Sequence, residues 1–125
     1  MIIKLPVIQK NWNEKTNTIE RSESEIEVTI DTSFLAHLKW EEHFSKTLNC
    51  DLNTYTERVK KWIGDPNLAK VNFLGLLKLL YCYINSSKLP TFRDFVAMFD
   101  FEVADKIIEK IRVVLEEINN TASKN

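Results

Sequence analysis

The sequence predicts a mostly α (α+β) domain: a bundle of about five helices around a central apolar helix, with a short N-terminal β-hairpin. Three observations lead there. Residues 68–85, L-A-K-V-N-F-L-G-L-L-K-L-L-Y-C-Y-I-N, form the most apolar passage of the chain. On a helix their polar or small positions Gly75, Lys78, Cys82 and Asn85 fall on one narrow stripe, so the helix has to be surrounded. Near the N-terminus Ile3, Leu5 and Val7, and then Ile26, Val28 and Ile30, alternate with polar residues or proline, which is the two-residue period of strands. The 125 residues hold 44% hydrophobic and 28% charged side chains but only two glycines and three prolines, a composition of ordered helices. At this length the expectation is a single domain over 1–125, divided into a hairpin with a mobile loop (1–30), a helical core (31–119) and a flexible tail (120–125).

Between the two strands runs a polar stretch, 9–24, with Trp12 as its one large apolar group; it reads as a mobile loop or the tip of a long hairpin. Pro6 places the first strand at a sheet edge, since proline cannot donate to a ladder. Asp31-Thr32-Ser33 precede Phe34 as candidate caps, so the first helix is expected from there to about Ser45. Phe34, Leu35 and Leu38 make one stripe on it, and Trp40 with Phe44 makes a second. The next helix opens near Asp51 and gathers Leu52, Tyr55, Val59, Trp62 and Ile63 on one side, leaving Thr56, Glu57, Arg58, Lys60 and Lys61 for water; Gly64 is placed as a left-handed C-cap.

Asp65-Pro66 reads as the start of the central helix, and Ser86, Ser87 and Pro90 as its stop. Thr91 with Asp94 is a capping-box arrangement that opens a short segment with Phe92, Phe95, Val96 and Phe99 on one face. Asp100 is expected to cap the last helix, whose stripe is Phe101, Ala104, Ile107, Ile108, Ile111, Val114, Leu115 and Ile118, with Val113 off the pattern. The polar residues after that helix are expected to fray.

No reaction is written on these residues, and the expected answer is not an enzyme. His37 and His43 stand six apart, away from the i, i+3 or i, i+4 spacing of helical metal ligands, so no metal site is expected. Glycine at 64 and 75 alone leaves no phosphate-cradling loop, and no cofactor is implied. Glu41 and Glu42 diverge by about 100° on a helix and cannot act together on one substrate. Net charge near −1 argues against a nucleic-acid surface. The run Phe73–Ile84 is about half the roughly 20 residues of a membrane span and contains Lys78, so no membrane partner is expected. Lys4 and Pro6 interrupt the apolar N-terminus, which disfavours a signal peptide; a reducing cytoplasm with Cys50 and Cys82 as thiols follows.

What remains is aromatic surface: seven Phe, three Tyr and three Trp on short helices. Either all of it is core, or part of the Trp40/Phe44 stripe and of the Phe92/Phe95/Phe99 face is open to a partner helix. Those five are the candidate partner-binding residues.

The order of motifs D-T-S-F-L-A-H-L-K-W-E-E-H-F (31–44), Y-T-E-R-V (55–59), L-K-L-L-Y-C-Y-I (77–84), F-R-D-F-V-A-M-F-D (92–100) and a closing I-I-E-K-I-R-V-V-L-E-E-I resembles the tail assembly chaperones of long-tailed phages and prophages of Gram-positive bacteria. The likeness covers about 28–118. It departs where the family pattern has Arg-Trp-Glu ending in Phe-Pro and this chain has Lys39-Trp40-Glu41 and Phe44-Ser45. The resemblance implies a small, mostly helical, non-enzymatic protein, made in the host cytoplasm and absent from the finished virion. It would coat the hydrophobic helical tape-measure protein and help tail-tube subunits polymerise around it, with no cofactor and either alone or as a homo-oligomer. Trp40, Phe44, Tyr55, Trp62 and Tyr81 would form the framework of the fold, and a longer frameshifted form would be joined near Ile118–Asn125. The competing expectation is a small helical regulatory or DNA-binding protein, which needs a helix-turn-helix with a positive face.

Overall fold

A computed structural model describes residues 1–123 of the chain. It is α+β: an N-terminal antiparallel hairpin, a third short strand, and helices that cover one end of the sheet. Strands β1 (Ile2–Asn13) and β2 (Thr18–Ile30) pair along their whole length, from Ile2↔Thr29 to Asn13↔Thr18. The stretch 9–24, read as either a mobile loop or the tip of a long hairpin, is the hairpin: it forms the outer half of this ladder and its turn. Its turn is stapled locally, because Asn13 Oδ1 accepts the backbone N–H groups of Lys15 (3.0 Å) and Thr16 (3.4 Å), and Asn17 supplies a left-handed residue at φ 56°. Such side-chain closure lets a polar ladder form without hydrophobic alternation.

β1 is the sheet edge, as Pro6 implies. The Ile8 N–H turns away from β2 and donates to the Met98 carbonyl at 2.8 Å, and the two-residue period puts the nitrogen of Pro6 on that same outer side, where no ladder donor is needed. Ile3, Leu5 and Val7 are buried against the helices together with Ile30.

The helices follow as α1 (Leu35–His43), α2 (Ser45–Leu48), α3 (Leu52–Ile63), α4 (Pro66–Val71) and α5 (Phe73–Tyr83). Then come the two-residue strand β3 (Ile84–Asn85), α6 (Phe92–Val96) and α7 (Ala104–Ser123). Seven helical segments are thus found among the described residues where about five were expected. The excess comes from the short α2, which lies beyond the expected end of the first helix, and from a break at Asn72 between α4 and α5. Asn72 turns its own Nδ2 back to the Leu68 carbonyl (2.9 Å) and leaves helical geometry, so 68–85 is not one helix. Beyond the break α5 carries seven buried residues from Leu76 to Tyr83 and touches α1, α3, α4, α6 and α7. β3 then extends the sheet, with Ile84 opposite Ile30.

Caps hold where side-chain geometry is local. Asp51 accepts from Thr54 N (2.7 Å), Asp65 from Asn67 N (2.9 Å) and Thr91 from Asp94 N (3.3 Å). Four expectations are corrected. Gly64 is right-handed (φ −73°), because the chain re-enters a helix at once. Thr56 is buried, since its hydroxyl bonds back to the Leu52 carbonyl (2.8 Å) and needs no water. Asp100 organises a turn, accepting from Glu102 N (3.1 Å), and α7 starts only at Ala104. The expected tail is helical through Ser123, while its last two residues, 124–125, lie outside the described residues. No helix among the described residues is long and apolar enough to cross a membrane.

Candidate functional site

The five aromatics singled out by sequence are brought together, but inside the chain. Trp40, Phe44, Phe95 and Phe99 are buried and Phe92 is half-buried. Trp40 stacks near Tyr55 (centroids 4.4 Å) and Phe44 (5.3 Å). Phe92 meets Phe44 edge-on (5.1 Å), and Phe95 lies 5.4 Å from Tyr81 and 5.1 Å from Phe99. The polar ends of this cluster are satisfied internally: Trp40 Nε1 donates to the Cys50 carbonyl (2.8 Å), Tyr55 Oη to the Gly75 carbonyl (2.8 Å) and Tyr81 Oη to the Pro90 carbonyl (2.6 Å). These rings tie α1, α3, α5 and α6 to one another and present no open face.

The open apolar surface lies elsewhere, at residues the sequence reading assigned to core stripes. Val71 and Phe101 are 82% and 85% exposed, and Leu74 and Leu68 are also exposed. Val71, Phe73, Leu74 and Leu77 form one wall of a groove and Val96, Phe99 and Phe101 the other, with Lys70 and Asp100 at the rim and a volume of about 320 Å³. The Asn72 break turns Val71 outward, and the turn that Asp100 organises swings Phe101 off the α7 stripe. Both signals are local: an Asn inside an apolar run, and an Asp placed between Phe99 and Phe101. A second open stripe, Phe34, Leu35 and Leu38, lies at the start of α1. It is one of the two stripes the sequence placed on that helix, and the structure covers the other.

One rim of the groove is fixed electrostatically. Arg21 on β2 reaches Asp100 with Nε at 2.8 Å and Nη2 at 3.1 Å, and Glu102 at 3.2 Å. The hydrogen bond from Arg21 holds the Asp100 carboxyl below the usual aspartate range, and the same bond raises the guanidinium. Lys106 pairs with Glu23 at 2.8 Å one rung away, and that bond lowers the Glu23 carboxyl. On the other wall Lys70 lies 3.7 Å from Asp105.

The groups that could carry chemistry are placed apart. His37 lies against Phe34, and His43 meets the edge of Tyr81. Among the described residues no three His, Cys, Asp or Glu side chains gather as metal ligands would. Burial pushes the Cys82 thiol up to about 12, so it stays protonated although Lys39, which donates to the Ile84 carbonyl, tends to lower it. A larger hollow of about 840 Å³, lined by Pro6, Glu23, Ser24, Glu25, Lys106, Glu109 and Lys110, is an open dish whose lining side chains are mostly charged. No family model, no curated protein and no solved structure matches the chain.

Proposed function

We propose that this protein is a non-catalytic tail assembly chaperone of a long-tailed phage or prophage, acting in the bacterial host cytoplasm. It would shield apolar helical stretches of the tape-measure protein until tail-tube subunits polymerise around them, and would leave before the virion is complete. The observation that carries this reading is the open groove of Val71, Leu74 and Phe101, found in a chain whose motif order at 31–44, 55–59, 77–84 and 92–100 resembles that family. An amphipathic helix laid in such a groove is read through anchors at i, i+3, i+4 and i+7, and the charged residues Lys70, Asp100 and Asp105 are placed to keep the rim wet. A helix-binding protein of this kind acts through its apolar groove and needs no reactive side chain.

The test is co-expression with the tape-measure protein encoded in the same phage or prophage. The wild-type chain is expected to keep the tape-measure protein soluble and to co-purify with it, and Leu74→Asp or Phe101→Asp to lose both effects while keeping a wild-type melting curve. A tape-measure protein that is equally soluble without the chain, or is held equally well by both variants, contradicts the proposal.

A further inference from the structure

The hairpin arm and the groove share one face of the molecule, as the strand register and the ion pairs of Arg21 together require. Residues two apart on a strand, and cross-strand partners, project to the same side. Lys10 pairs with Arg21 and Trp12 with Ile19, so these four side chains share a side. Arg21 binds Asp100 and Glu102, which flank Phe101 at the groove mouth. Trp12 and Ile19 therefore stand one rung farther out on the groove side, 57% and 66% exposed, and neither lines the groove of its own chain. They are carried there by a fully paired ladder whose turn is closed by Asn13.

A projecting apolar tip beside an apolar hollow on one face is self-complementary under a two-fold axis, because each copy can offer its tip to the other's hollow. The hollow, about 320 Å³, has room for an indole. Charge agrees with this docking. Lys10 lies beside Trp12 on the tip, whereas the rim sets three acids, Asp100, Glu102 and Asp105, against the two cations that pair with them, Arg21 and Lys70, and so keeps one negative charge over. Glu20, the nearest acid on β2, pairs with Asn11 on the opposite face and is held by Asn13. Trp12, Ile19, Val71, Leu74 and Phe101 together offer several hundred Å² per copy, comparable with the ~800 Å² per partner of a standard interface.

We infer that this face is the interface of a two-fold homodimer in which Trp12 and Ile19 of each copy enter the groove of the other. The dimer closes the groove, so a client helix and the second copy compete for it. The inference uses the groove of the proposed function but not the identity of the client.

Sedimentation equilibrium of the full chain tests it, with Trp12→Ala on the tip and Leu74→Asp in the groove; both sites are exposed, and circular dichroism melts check that both variants fold. The wild type is expected to dimerise reversibly with concentration, and each substitution to weaken the dimer on the order of thirtyfold or more. A wild type that stays monomeric at every concentration, or a dimer that survives either substitution, overturns the inference. So does a wild-type monomer whose binding of a synthetic tape-measure helix is lost in Trp12→Ala, which would assign the tip to the client. Loss of client binding in Leu74→Asp with normal wild-type dimerisation bears on the proposed function separately.

Discussion

At Gly75 two effects of opposite sign meet. Alanine is favoured over glycine in a helix by about 1 kcal/mol. A Cβ at this position, however, would lie 2.8 Å from Tyr55 Oη and 2.9 Å from Trp62 Cζ3, in a contact already fixed by the Tyr55 bond to the Gly75 carbonyl. Overpacking of a core contact costs about 1–3 kcal/mol, so the clash wins and Gly75→Ala should lower the thermal midpoint. An unchanged or raised midpoint in a calorimetric scan would show that α3 and α5 are not in this close contact. The two cysteines should differ as sharply. Cys82 is buried with its thiol pushed up, and Cys50 is partly open, so a thiol reagent at neutral pH should modify Cys50 and reach Cys82 only on unfolding. Equal labelling rates in the native protein would contradict the burial of α5. Residue 75 was legible in the sequence only as part of a small-polar stripe; its neighbours across the helix pair, Tyr55 and Trp62, are twenty and thirteen positions away, and no periodicity reports them.

The element that depends most on charge is the hairpin. Arg21 and Glu23 on β2 fasten it to Asp100, Glu102 and Lys106 near the start of α7. Because the Asp100 and Glu23 carboxyls are held below their unfolded values of 3.8 and 4.5, the unfolded chain binds more protons in acid. Their contribution is therefore present at neutral pH and is lost as pH falls below about 4 through the folded values. Asp100→Asn should remove part of this acid dependence, seen as a shallower fall of the urea midpoint between pH 5 and pH 3; an unchanged slope would mean the pair is not formed in solution. Arg21→Ala should speed amide exchange in the arm while leaving α5 protected, and uniform protection would contradict the anchoring.

At this scale the sequence was readable wherever a pattern is local. The stripes of α3 and α7, the capping box at Thr91 and the edge position of β1 all follow from spacing. The break at Asn72 does not, because the apolar pattern continues through it and a side-chain bond back to the Leu68 carbonyl ends the helix there; nor does the short α2, which lies beyond the expected end of the first helix. The outer ladder was left open between a loop and a hairpin tip for the converse reason: its strands carry no buried face, so the two-residue period has nothing to mark it.

For the whole molecule, these local breaks have one consequence. A chain with enough aromatic side chains to fill its core, drawn from α1, α3, α5 and α6, still leaves Val71, Leu74 and Phe101 in solvent around a groove. Aspartate at Leu74 or Phe101 removes apolar surface that the fold itself does not bury, so the expected change in stability is within about 0.5 kcal/mol, whereas Phe95→Ala, in the core, should cost about 3–5 kcal/mol. Chemical denaturation of the variants separates the two classes. If Leu74→Asp destabilised as much as Phe95→Ala, the groove would be closed in the isolated chain. The most direct measurement is backbone chemical-shift mapping with a synthetic amphipathic helix taken from the proposed client, the tape-measure protein. Shifts are expected to concentrate at Val71, Phe73, Leu74, Val96 and Phe101; shifts centred on Phe34, Leu35 and Leu38, or none at all, would contradict binding in the groove.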